Sequence, residues 1–172
     1  MEKIGLFYGP EGGSVEKVAR MIKDRLKDRG DLLLVKNSMA QDLEKYRNII
    51  FGISTVGTET WAMESPSDDW ARFMPELRKV NHHGKTYAIY GLGDHITYSN
   101  HFADAMGVLG KELLRQGARI VGQVPVVEYE FDDSEAVIDD HFIGLPLDED
   151  YESEKTPERL DKWLANILKE FS

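Results

Sequence analysis

Apolar residues fall along this chain in short unbroken runs, separated by stretches where they recur every three or four positions. Ile4-Gly5-Leu6-Phe7-Tyr8, Leu32-Leu33-Leu34-Val35, Asn48-Ile49-Ile50-Phe51-Gly52-Ile53, Thr86-Tyr87-Ala88-Ile89-Tyr90-Gly91 and Arg119-Ile120-Val121-Gly122 read as strands covered on both faces. Between them, Val15, Val18, Ala19, Ile22 and Leu26 predict a helix capped by Ser14 and stopped at Gly30. A second helix is expected from about Asp69 to Arg78. Phe102, Ala105, Met106, Leu109 and Leu113 predict a third, ending near Gly117. In the last helix Thr156 is the expected N-cap and Pro157 the first residue. Leu160, Trp163, Leu164, Ile167, Leu168 and Phe171 share its inner face.

Strands that alternate with helices predict an α/β fold, a five-stranded doubly wound parallel sheet. An eight-unit barrel needs about 250 residues, more than the 172 present. The stretch from Val124 to Lys155 is too long for a simple connection. It holds strand-like pieces at Val126–Phe131 and Phe142–Leu145, and reads as an insertion in or after the fifth strand. Nothing divides the chain, so residues 1–172 are expected to form one domain.

In open sheets of this kind ligands sit at the carboxyl ends of the strands, beside the point where strand order reverses. Three loops qualify: Gly9–Ser14, Ser54–Asp69 and Gly91–Phe102. The first leads from a strand into a helix N-terminus, where free N–H groups attract phosphate. It lacks the Gly-Lys-Ser/Thr of a P-loop and the glycine spacing of a dinucleotide site, so a tight turn explains it equally well. Gly91 and Gly93 permit close approach of a planar ligand, with Tyr98 and Trp61 as stacking partners from facing loops. Alternatively, both rings merely cover the sheet ends.

Composition narrows the chemistry. There is no cysteine, which removes disulfides, thiolate catalysis and cysteine-held metals. A net charge of −10 speaks against nucleic acid or an anionic membrane as partner and suits basic protein surfaces. No run approaches the ~20 apolar residues of a membrane span, and the first residues do not resemble a signal peptide. A cytoplasmic location is the expectation. His82-His83 reads as a solvated pair at a surface turn, and the acidic clusters lack calcium-loop spacing.

Several stretches together resemble the long-chain flavodoxins over nearly the whole sequence. They are Lys3–Gly9, Ser67-Asp68-Asp69-Trp70, Gly91-Leu92-Gly93-Asp94 with Tyr98, and Phe102-Ala103-Asp104-Ala105. Tyr129–Ser134, Phe142–Asp150 and Thr156–Trp163 add the hallmarks of the long-chain insertion. The resemblance implies strand order 2-1-3-4-5 and a single-electron carrier in which FMN does the chemistry. Such a carrier is expected to be a monomer that works between a flavodoxin or ferredoxin reductase and basic-faced acceptors.

Carried over position by position, the resemblance implies a phosphate loop of Glu11, Gly12, Gly13, Ser14 and Val15. Ser54, Thr55, Val56, Gly57 and Trp61 would form the second flavin loop, and Gly91, Leu92, Gly93, Asp94, Tyr98 and His101 the third, with Asp148 beyond. Asp94 and its backbone would bond the ring edge. Gly57 would supply a peptide that flips toward the flavin N5–H. Acids around the slot (Glu59, Glu64, Asp68, Asp69, Asp94 and Asp148) would oppose negative charge on the reduced flavin. The departures are specific. The family's threonines are replaced here by Pro10, Gly12 and Val15, its usual tryptophan by Val56, and its frequent asparagine by His101. A module that binds FMN weakly, or a quinone reductase of the same fold, are the alternative readings.

Overall fold

In the computed structural model residues 2–55 and 69–172 are described. Their elements run β1 (Ile4–Tyr8), α1 (Ser14–Leu26), β2 (Gly30–Leu34), α2 (Ala40–Leu43), β3 (Asn48–Ser54), α3 (Asp69–Leu77), β4 (Thr86–Leu92) and α4 (Asp104–Arg115). After these come β5 (Arg119–Val121), β6 (Val124–Pro125), β7 (Val137–Ile138), β8 (His141–Phe142), β9 (Leu145–Leu147) and α5 (Thr156–Glu170). The main sheet is parallel, in the order β2-β1-β3-β4-β5.

Its inner strands β1, β3 and β4 are buried almost throughout because each face has its own core. Phe7, Ile49, Phe51, Ile53, Tyr87 and Ile89 point to one side, where α3 and α4 pack with Trp70, Phe73, Met106 and Leu109. The alternate residues Ile4, Leu6, Tyr8, Ile50, Ala88 and Tyr90 point to the other, against Val18 and Ile22 of α1 and Leu160, Leu164 and Ile167 of α5. The period-two alternation sends successive side chains to opposite cores.

The fifth strand is split, so the insertion interrupts it. β5 pairs with the start of β4 (Thr86↔Arg119, Tyr87↔Ile120, Ala88↔Val121). β9 resumes along its end (Tyr90↔Leu145, Gly91↔Pro146, Leu92↔Leu147), also parallel. Residues 122–144 leave and return between these pieces and carry a small antiparallel sheet in the order β6-β8-β7.

Four sequence expectations need correction. Val126–Phe131 is not a strand; Val126–Glu128 forms a 3-10 turn after Pro125, and Val127 is 83% exposed. Helix α1 begins at Ser14 with Gly13 as its N-cap, so Ser14 is not the cap. Thr156 is likewise inside α5, and its hydroxyl donates to Glu149 instead of capping. His82 is buried, not solvated. Its ring bonds the Tyr87 hydroxyl at 2.6 Å, the Leu77 carbonyl at 3.0 Å and the Gln116 side-chain oxygen at 2.8 Å.

Candidate functional site

The carboxyl ends of β1, β3 and β4 meet the turn after β9 around a cavity of about 300 Å³. Ser14, Ser54, Thr55, Leu92, Gly93, Asp94, Tyr98, Glu149 and Asp150 line it. It lies where the strand order reverses between β1 and β3, the place an open α/β sheet reserves for ligands.

One end is the start of α1. The first helical bond runs from the Lys17 N–H to the Gly13 carbonyl at 3.1 Å. The N–H groups of the turn before it therefore have no intrahelical partner and favour an anion. Gly12 adopts φ +86°, where side chains are strained, and nothing stands within 4 Å of where a Cβ would be on Gly12 or Gly13. This is an open backbone cradle. The Gly12 N–H is partly engaged, donating to Glu16 Oε1 at 3.2 Å. That bond, then one from Arg20, holds the half-buried Glu16 carboxyl below its usual range.

The turn is anchored from beneath the sheet. Gly52 has no side chain because Tyr90 occupies the space; a Cβ there would come within 2.2 Å of the Tyr90 ring and hydroxyl. The buried Tyr90 hydroxyl donates to the Val15 carbonyl at 2.9 Å, fixing the first turn of α1 against β4. Burial pushes that phenol well above its usual range.

At the other end, Asp94 Oδ1 accepts from the Ile96 and Thr97 N–H groups at 3.0 and 2.7 Å. The Tyr98 N–H donates to the Asp94 carbonyl at 3.2 Å. The turn so formed returns the half-buried Tyr98 to the cavity wall. Thr55 ties two elements together: its N–H donates to the Leu92 carbonyl at 3.0 Å, and its hydroxyl accepts from the Ala105 N–H at 2.9 Å. The chain after β9 supplies the last side. Burial raises the Asp150 carboxyl, and the nearby Asp148, Asp94 and Glu149 raise it further.

Of the sequence candidates, the structure gathers Ser14, Ser54, Thr55, Leu92, Gly93, Asp94 and Tyr98 at the cavity, with Gly12 and Gly13 beside it. Five candidates stand elsewhere. The Glu11 side chain pairs with Lys36. Val15 is buried in the core against the sheet, leaving only its backbone toward the turn. Gly91 sits inside β4 against Met106. His101 bonds Asp104 at 2.9 Å and does not line the cavity. Asp148 is fully buried behind the wall, with both oxygens taken by His95, Asp150 and Tyr151. Val56, Gly57 and Trp61 lie outside the described residues, as do Glu59, Glu64 and Asp68. Glu149 and Asp150 were missed, although they follow Asp148 directly.

The cradle on one side, Tyr98 on the other and the cavity between them fit an elongated ligand with a terminal anion and a planar ring. FMN has that shape.

Comparison with known proteins agrees. The flavodoxin family model matches residues 6–163. Flavodoxin 1 of Escherichia coli strain K12 is 38% identical over 168 residues, covering 96% of this chain and 93% of that protein. A Nostoc flavodoxin (strain PCC 7120) is 37% identical over 171 residues, covering 99% and 98%. The crystal structure of Fusobacterium nucleatum flavodoxin bound to flavin mononucleotide superposes with a TM-score of 0.88 at 26% identity, covering all of both chains.

Proposed function

Because the chain belongs to the flavodoxin family, we propose that it holds FMN in this cavity and carries single electrons between a reductase and acceptor proteins. The observation that carries this reading is the cavity at the switch point, with a helix N-terminus at one end and Tyr98 at the other. When bound, FMN supplies the one-electron chemistry. The protein binds and orients it. The α1 turn and the Ser14 hydroxyl would hold the phosphate, Tyr98 would cover one ring face, and the Leu92–Asp94 backbone would meet the ring edge. Asp94 and Asp150 would place negative charge beside the ring, which disfavours adding electrons and lowers the potential, whereas the Glu149 carboxylate is neutralised by Lys17 at 2.7 Å.

The split fifth strand supports a place among the long-chain members, working as one domain over residues 1–172. No helix among the described residues is long and apolar enough to cross a membrane. A cytoplasmic monomer that meets basic-faced partners fits the acidic charge. The deciding experiment is a visible absorption spectrum of the protein before and after FMN is added. A yellow, stoichiometric complex is expected; a protein that takes up no FMN would refute the reading.

The altered phosphate loop gives a sharper expectation. Ser14 is the hydroxyl at the cradle that lines the cavity. Ser14→Ala should weaken FMN by roughly 1.5–3 kcal/mol, the worth of a hydrogen bond to a charged group, and leave riboflavin unchanged. Parallel fluorescence titrations measure both. Restoring the family hydroxyl by Gly12→Thr is a poor test, because φ +86° strains a β-branched residue.

Docking should be electrostatic. Reduction by a flavodoxin reductase is expected to slow as salt rises, since screening shortens from about 10 Å at 0.1 M to 3 Å at 1 M. Asp150→Lys, on the exposed rim, should slow it more than Asp24→Lys on the far side of α1. Stopped-flow rates indifferent to salt and to both reversals would dismiss the docking surface. Asp69 is a weaker choice than its sequence position implies, because it pairs with Arg72 at 3.2 Å and is only 14% exposed.

A further inference from the structure

Two loops that approach the cavity from different parts of the chain are joined behind its wall by a buried ionisable pair. Asp148 is fully buried, and His95 is 14% exposed. Asp148 Oδ2 accepts from the His95 backbone N–H at 3.0 Å and lies 2.5 Å from His95 Nδ1. Its Oδ1 accepts from the Asp150 and Tyr151 N–H groups, each at 2.9 Å. A carboxylate offers acceptors only, so the facing imidazole nitrogen is the protonated one. The His95 ring stands edge-on to Phe102 and Tyr151, both at 6.3 Å. Asp94 precedes His95 and Asp150 follows Asp148 by two, and both line the cavity.

We infer that His95 is a positioning residue which, through Asp148, latches the loop after β4 to the turn after β9 and so fixes the ring end of the cavity. The inference rests on the cavity being the FMN site, and it concerns a histidine that does not itself reach the ring. The other ties between these segments are weaker or lie deeper. Thr97 Oγ1 and the Tyr151 hydroxyl are 3.4 Å apart at the surface. The Gly93 N–H meets the Leu147 carbonyl at 2.9 Å as a continuation of strand pairing. The His95 side chain adds an imidazole N–H to Asp148. Without it, the buried carboxylate keeps three backbone donors, one of them the His95 N–H, so the fold survives while the joint between the two loops loosens to that single bond at Asp148.

The test compares the parent, His95→Ala, His95→Asn and, as a surface control, His83→Ala. Asn places an amide N–H where Nδ1 stands. FMN and riboflavin titrations of the apoproteins are one arm, and amide hydrogen exchange of the same apoproteins is the other. His95→Ala should raise the Kd for FMN and for riboflavin alike by about tenfold or more, the scale of one hydrogen bond to a charged group. His95→Asn should recover to within about threefold of the parent, the scatter of a neutral surface change. Exchange at the Asp150 and Tyr151 amides should speed by about tenfold in His95→Ala while the β3 amides stay protected. Equal affinities in parent and His95→Ala, or unchanged exchange at those two amides, overturn the latch. A parent that binds no FMN overturns the carrier reading instead, and the exchange arm still decides whether His95 holds the two loops together.

Discussion

Replacing Phe102 by alanine is expected to lower the unfolding free energy by about 3–5 kcal/mol, the range for emptying a large aromatic from a core. The ring is 1% exposed. It meets Tyr129 at 6.0 Å, and Phe131 and Phe142 at 5.8 Å each, all three carried by the insertion. Phe102 itself follows the loop that bears Asp94 and Tyr98. One side chain therefore fastens the insertion to the ring end of the cavity. Because whole domains are stable by only about 5–15 kcal/mol, the variant should sit close to its limit at room temperature. Urea unfolding of the apoprotein gives the measurement, with a lower midpoint at unchanged slope. FMN should restore part of the loss by mass action. A midpoint equal to the parent's would mean the surrounding rings close over the gap without help.

Tyr98→Ala should leave that midpoint nearly unchanged and act on the ligand instead. Loss of a stacking face costs roughly 1–3 kcal/mol, a fall in affinity of about five- to 150-fold. Riboflavin should lose as much as FMN, since Tyr98 is at the opposite end of the cavity from the α1 turn. That pattern differs from Ser14→Ala, where only FMN should suffer. Tyr98→Phe keeps the ring and should keep most of the affinity. If Tyr98→Ala binds flavin as the parent does, the ring lies off the flavin face, and the stacking partner must be sought elsewhere.

The sheet was readable in the sequence because its inner strands β1, β3 and β4 are buried on both faces, and such strands appear as nearly unbroken apolar runs. The helix faces were readable for the same reason: Val15, Val18, Ala19, Ile22 and Leu26 are all buried on α1. Errors came where an element is set by contacts distant in sequence. Val126–Phe131 looks β-prone, yet the Tyr129 hydroxyl donates to the Pro146 carbonyl at 2.8 Å and the backbone turns at Val126 to allow it. Helix α2 spans four residues, too few for a periodic signal. His82 looked solvated because the Tyr87 and Gln116 groups that bury it come from other elements. At the site, the loops were located by the switch-point rule. Whether Asp148 or its neighbours Glu149 and Asp150 face the cavity depends on how β9 enters the sheet, and that register is not written locally.

The division of the fifth strand has a consequence for the order in which a growing chain can assemble. The cradle at α1, the end of β3 and the Tyr98 loop all precede residue 119. The final wall does not. Glu149 and Asp150 are held by β9, which joins β4 only after residues 122–144 have been made and folded back. Since a domain folds as a unit, and one core face and Phe102 wait for α5 and the insertion to cover them, a nascent chain stopped short of β9 should not hold the cofactor. Retention should begin only once that late segment and α5 have emerged.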